Sequence, residues 1–211
     1  MLFSEEWLRS VINPDLDTAG LVDALTMEGL EVEEAVPVAP AFSGVVVAQI
    51  LECADHENSD HLHVCKVDVG RGEPLPIVCG APPARAGLKT ACAMIGAVLP
   101  GDFKIKKAKM RGVASFGMLC STRELGVNDE HDGIWELPGD APVGMDVREY
   151  ARLDDMRIEV KLTPNRGDAL RVVGVARDLR AVTGAAIKLP DMSPVAPTCD
   201  CVKPVHIENP E

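Results

Sequence analysis

GVVVAQILECADHENSDHLHVCKVDVG, residues 44–70, holds two β-branched runs separated by a polar turn. The first, 44–51, crowds valine and isoleucine together. The second, 61–70, sets Leu62, Val64, Val67 and Val69 in imperfect alternation. Such runs, bounded by Asn, Asp, Ser and Gly, read as strands joined by a loop. Comparable signals follow at LPIVCG (75–80), LKTACAMIGAVL (88–99), Phe116 to Leu119 and GIWELP (133–138). Ser121-x-x-Glu124 predicts a capping box on a short helix. Five or six short strands with one short helix predict a small β-barrel.

Outward from this stretch the pattern changes. Pro37 and Pro40 mark a boundary. Before them, Ser4 is placed to cap a helix through Ile12, which Asn13-Pro14 ends. A second helix over Thr18 to Met27 puts Leu21, Ala24 and Leu25 on one face, with Gly29 as its stop and an extended segment from Leu30. From about Asp154, MRIEVKL (156–162) reads as a strand and TPNRGD (163–168) as a turn ending at Asp168 as N-cap. A helix over Ala169 to Thr183 then carries Val172, Val175, Ala176, Leu179 and Val182 along one side, closed by Gly184. The flanks 1–39 and 152–190 are each too short to bury a core alone. The predicted fold class is α+β: a small discontinuous α/β domain (1–39 and 152–190) with a β-barrel inserted over 40–151. Residues 191–211 are proline-rich and predict an extended linker into a further C-terminal region.

The 211 residues carry a formal net charge of -12. Glu5 and Glu6 stand where a secretory signal needs positive charge, and no apolar run approaches membrane-spanning length. The seven cysteines, odd in number and mostly inside apolar runs, predict reduced thiols in a cytoplasmic protein. An acidic balance excludes nucleic-acid binding by bulk charge. Any such partner has to meet a local patch, and KIKKAKMR (104–111) supplies Lys104, Lys106, Lys107, Lys109 and Arg111. Two readings stand side by side. The strip binds phosphates, or it guards an edge strand against aggregation, with Lys104 and Lys106 alternating against inward Phe103 and Ile105. Lys107 breaks that alternation. Only seven aromatic residues are present, with Phe42, Phe103, Phe116 and Trp135 in the β-rich middle, so stacking platforms are few.

Within CADHENSDHLHVC, His61, His63 and Cys65 would share one strand face, yet the spacing fits no standard zinc pattern. A loop whose histidines face solvent is expected, with no metal. Ser115 in GVASFG lacks nucleophile-elbow spacing, and the lone Gly-x-Gly of VGRG precedes no helix. No catalytic residue is expected in this chain.

GVVVAQILECADHENSDHLHVCKVDVG, IVCGAPPARAG, LKTACAMIGAVLPG, MRGVASFGMLCSTRELG and DGIWELP resemble, in order, the tRNA-binding OB-fold domain of several tRNA-associated proteins. Flanked by MEGLEVEE and LTPNRGDALRVVGVARDLRAVTG, the set is similar to the N-terminal region of bacterial-type phenylalanyl-tRNA synthetase β subunits. The TPNR-x-D-x-L…GVAR segment is its most specific part. Departures are Glu57 for the usual Pro, Pro83 for Asn, Ala114 for Glu and Gly167 for Ala. They bear on loops, not on the fold.

The resemblance implies a five-stranded OB-type barrel and a heterotetramer of two α and two β subunits. It places aminoacylation, with phenylalanine, ATP and magnesium, on the α subunit, and no cofactor in this chain. Its partners would be tRNA-Phe and the α subunit, with no DNA and no membrane. The implied RNA-binding residues are Lys104, Lys106, Lys107, Lys109 and Arg111, then Ser115, Met118 and Ser121, and His56, Asn58 and Asp60. In the turn motif Asn165 and Asp168 read as structural and Arg166 as the member to reach a partner. Two alternatives stay open: a free-standing OB-fold tRNA-binding or chaperone-like protein, which would not need the outer α/β segments, and a purely structural scaffold.

Overall fold

The computed structural model describes residues 1–129 and 132–209. β1 (Leu2–Ser4) runs straight into α1 (Glu5–Val11), where the Ser4 hydroxyl accepts from the Trp7 amide and satisfies one orphan donor of the first turn. Asp17 caps α2 (Thr18–Met27) in the same way, accepting from the Gly20 amide at 2.8 Å. β2 (Glu31–Pro37) follows, then β3 (Ser43–Asp55), β4 (His63–Asp68), β5 (Leu75–Cys79) and β6 (Lys89–Leu99). Four short strands come next: β7 (Phe103–Lys104), β8 (Ala108–Met110), β9 (Val113–Ser115) and β10 (Gly117–Cys120). The chain closes with β11 (Glu136–Leu137), α3 (Val147–Tyr150), β12 (Met156–Lys161) and α4 (Val172–Thr183).

The two flanks share one core. β12 lies between β1 and β2, antiparallel to both, with Phe3 opposite Ile158. Leu8, Leu21 and Leu25 from the first helices meet Val175 and Leu179 of α4 over that sheet, all fully buried. A bridge between Ile12 and Ile187 ties the flanks a second time.

The middle of the chain forms a curled antiparallel sheet in the order β10-β6-β3-β4-β5, with β7 and β11 also paired to β6. The first half of β3, from Val45 to Ile50, is buried on both faces. Val45 and Val47 point into one cluster with Phe42 and Leu125, while Val46 and Ile50 point into another with Val67 and Ile77. This double burial is why its sequence reads as a continuous apolar run rather than a clean alternation. The curl brings the segment before β10 onto β5. The Phe116 amide donates to the Pro76 carbonyl at 3.0 Å, and the Val78 amide to the Ser115 hydroxyl at 3.1 Å.

Several expectations need correction. The helix expected from Ala169 begins at Val172, after a separate 3-10 turn over Gly167–Ala169, and Arg171 rather than Asp168 takes the cap position without a side-chain bond. Gly174 explains the break. A β-carbon there would lie 1.9 Å from the Asp168 carbonyl oxygen, so α4 is packed directly onto the preceding turn. The Ser121–Glu124 box forms its reciprocal bonds, but residues 122–127 are a string of turns, not a helix. Leu125, fully buried, pins that segment to the sheet, and the Val127 amide returns to the Thr122 carbonyl. Phe103 is not an inner residue: it is 59% exposed, because β7 is only two residues long. Residues 189–209 are exposed and carry neither helix nor strand; the last two residues of the expected linker, 210 and 211, lie outside the described residues.

Candidate nucleic-acid interface

The basic strip is held by backbone at both ends. At its start, β7 pairs with the end of β6, Val98 opposite Lys104. Buried Ile105 extends this pairing: its amide donates to Ala97 and its carbonyl accepts from Gly96. Lys106 and Lys107 then leave the sheet. β8 turns back on β9 through Arg111 and Gly112, both at positive φ, 44° and 98°. A two-residue turn of that hand suits the twist of a hairpin, and glycine lowers its cost.

All five basic side chains are exposed. Among the described residues, Lys104, Lys106, Lys107 and Lys109 form no ion pair with a carboxylate. The Lys107 ammonium sits 4.5 Å from the centroid of the Phe116 ring, a cation–π contact. Such a row of cations raises the local potential in a chain of net charge -12.

The loop between β3 and β4 docks on the hairpin. His56 is buried at 4% exposure, contrary to the expectation that all the histidines face solvent. Its Nε2 lies 3.2 Å from the Met110 carbonyl, and its Nδ1 accepts from the Asn58 amide at 3.1 Å. The Nδ1 contact makes Nδ1 an acceptor, so Nε2 is the donor to Met110. Arg111 donates to the Asn58 carbonyl at 2.6 Å. Arg111 is thereby joined to His56 and Asn58, more than fifty residues before it in sequence, with Asp60 exposed on the same loop.

The remaining candidates divide. Met118 lines a cavity with Lys104, Lys106 and Lys107. Ser115 is 1% exposed, and its hydroxyl is spent on the Val78 amide and the Gly117 carbonyl, which gives it a positioning role behind the strip. Ser121 lines a different cavity with Glu124 and Ile134. Arg166 belongs to the other half of the chain. Its guanidinium grips Asp168 and Asp178, so it ties the turn to α4. The bond to Arg166 holds the Asp168 carboxyl below its ordinary range, and Asp168 in turn raises the Arg166 guanidinium. Asn165 is exposed, and the turn itself is closed by the Arg166 amide donating to Thr163.

Sequence reasoning missed Phe103 and Met110 as surface residues of this face. The available signal was the placement of Phe103 and Met110 directly beside the basic residues of the strip. Elsewhere, no cluster of metal-ligating side chains occurs among the described residues. Burial pushes the Cys92 thiol up to about 12 and raises those of Cys65, Cys79 and Cys120, which leaves them poor nucleophiles. No helix among the described residues is long and apolar enough to cross a membrane.

Residues 45–146, which contain the strip, the docked loop and the hairpin, match the family described as "Putative tRNA binding domain". The whole chain is 57% identical over 209 residues to the phenylalanine–tRNA ligase beta subunit of Chromobacterium violaceum, covering 99% of this chain and 27% of that one. Over nearly all of its length the chain is similar to the N-terminal region of phenylalanine–tRNA ligase β subunits. A second β subunit, from Aromatoleum aromaticum, is 57% identical over all 211 residues, 26% of its own length. The chain thus spans about a quarter of the length of the curated β subunits it matches. A solved MetRS-related protein from Pyrococcus horikoshii matches 49% of this chain and 87% of its own at 25% identity, with a TM-score of 0.36.

Proposed function

We propose that this chain is the tRNA-contacting and subunit-assembly part of a phenylalanine–tRNA ligase. The observation that carries the reading is the row of lysines without acidic partners among the described residues, held on the hairpin and loop inside the segment matched to tRNA-binding domains. Lys104, Lys106, Lys107, Lys109 and Arg111 meet phosphates of tRNA-Phe, with Asn58 and Met118 beside them. His56 and Ser115 hold the hairpin in place from behind. Structured RNA is recognised largely through shape and backbone, which a rigid cationic strip suits.

In this reading residues 40–151 are an OB-type five-stranded barrel inserted into a discontinuous domain of residues 1–39 and 152–190, with 191–211 leading onward. The β chain works in a heterotetramer of two α and two β subunits in the cytoplasm, and ATP-dependent, magnesium-requiring attachment of phenylalanine takes place on the α subunit. A second observation favours the assembly role. A groove of about 680 Å³ on the α/β half is lined by Trp7 and Leu170, exposed at 57% and 69%, together with Leu2 and Leu189. Contiguous exposed apolar surface of this kind marks an interface. A free-standing RNA-binding module leaves that half unexplained.

The test is binding of a tRNA-Phe transcript to the 211-residue chain and to a variant with Lys104, Lys106, Lys107 and Lys109 changed to Glu. The variant is expected to lose binding while keeping its far-ultraviolet circular dichroism. Equal binding by both would leave the strip a solubility device and the middle of the chain a scaffold.

A further inference from the structure

The lysine strip rims a groove. A cavity of about 650 Å³ opens between Phe103, Met110 and Met118, with Lys104, Lys106 and Lys107 along its mouth. That volume falls in the range of about 300–1,000 Å³ typical of small-ligand sites. Val78 and Ile105, each 5% exposed, form a fixed floor. Above it Phe103 is 59% exposed and Met110 41% exposed. Phe103 is not on a loose loop: the β6 pairing at Leu99 and the backbone bonds of Ile105 hold its backbone on both sides. The neighbouring Phe116 ring already carries the Lys107 ammonium, which leaves Phe103 as the aromatic surface offered to a ligand.

A flat apolar platform beside unneutralised cations matches one ligand chemistry: a planar, π-bearing group joined to an anion. Asp102, at the edge of the same groove, adds an acceptor for N–H donors. A paired stem keeps its bases stacked and presents only backbone, so a base reaches such a platform only from a loop, bulge or end. We propose that this groove takes one unpaired nucleotide of the bound RNA, its base stacked on Phe103 and its phosphates on Lys104 and Lys106. The inference rests on the RNA-binding reading of the strip and deepens it: contact is not with backbone alone.

The experiment titrates the 211-residue chain, with Phe103→Ala, Phe103→Tyr and Lys106→Gln variants, against the tRNA-Phe transcript at several salt concentrations. Exposed Phe103 can be changed without disturbing the core. Loss of a stacked base predicts a fall in affinity of about 5- to 150-fold for Phe103→Ala. The dependence on salt should stay unchanged and Phe103→Tyr should bind like wild type, whereas Lys106→Gln should lower the salt slope. If Phe103→Ala binds the transcript as wild type does while the lysine variants lose it, the base groove is overturned and the phosphate strip stands. If wild type itself fails to bind the transcript, the strip and the groove are overturned together.

Discussion

Replacing Gly174 by alanine sets two effects of opposite sign against each other. In a helix interior, alanine is favoured over glycine by about 1 kcal/mol. At this position the new β-carbon would lie 1.9 Å from the Asp168 carbonyl oxygen and 2.8 Å from its carbon. Both atoms are backbone, inside a 3-10 turn that the Arg166–Asp168–Asp178 cluster holds against α4, so no flexible side chain can give way. Overpacking costs about 1–3 kcal/mol, and a rigid backbone contact belongs at the upper end. The net is a destabilisation of about 2 kcal/mol, or a fall in Tm of about 4–8 °C for a chain of this length. Thermal unfolding followed by circular dichroism reads it directly. Gly167→Ala is the control, since its β-carbon would meet nothing within 4 Å and φ there is ordinary, and its Tm should stay close to wild type. A Gly174→Ala protein as stable as wild type, or more so, would mean that α4 does not seat on the turn as described.

Three further outcomes follow from the geometry. The Asp168 carboxyl is held below its ordinary range by Arg166, so its contribution is full above the ordinary carboxylate range and is lost as pH falls through the depressed value. Asp168→Asn should therefore lower Tm near neutral pH and converge on wild type as the medium is acidified; a constant offset at every pH would refute the pairing. With a thiol reagent in native conditions, Cys199 should react first, because it is exposed and its thiolate is favoured by hydrogen bonds from Cys201, while Cys65, Cys92 and Cys120 should react only on unfolding. His56→Ala removes the link from the loop to Met110, and amide exchange across Lys109 to Val113 should accelerate by about tenfold, the equivalent of one hydrogen bond of about 1.4 kcal/mol. Unchanged exchange there would show that the hairpin stands without the loop.

Much of the fold was legible because it depends on local chemistry. Ser4 with Asn13-Pro14 bounds α1, and the Leu21/Ala24/Leu25 face sets α2. β1 was not legible: three residues become a strand only because Ile158, far along the chain, lies opposite Phe3. The same holds for α3, a single turn capped by Asp146. Asp168 carries the composition of an N-cap, but a nearby arginine competes for its carboxylate and Gly174 fixes the turn. At the candidate interface the charge was legible and the shape was not. Lysine spacing announces a cationic strip, yet the burial of His56, the loss of Ser115 to the core and the exposure of Phe103 all depend on how the sheet curls.

The salt dependence of binding to a tRNA-Phe transcript tests the phosphate-contact reading most directly. Four or five lysine and arginine contacts predict that log affinity falls against log salt with a slope of about -3.6 to -4.5, and that each lysine changed to glutamine brings the slope about one step closer to zero. A slope near zero, or one that the lysine substitutions leave unmoved, would contradict it.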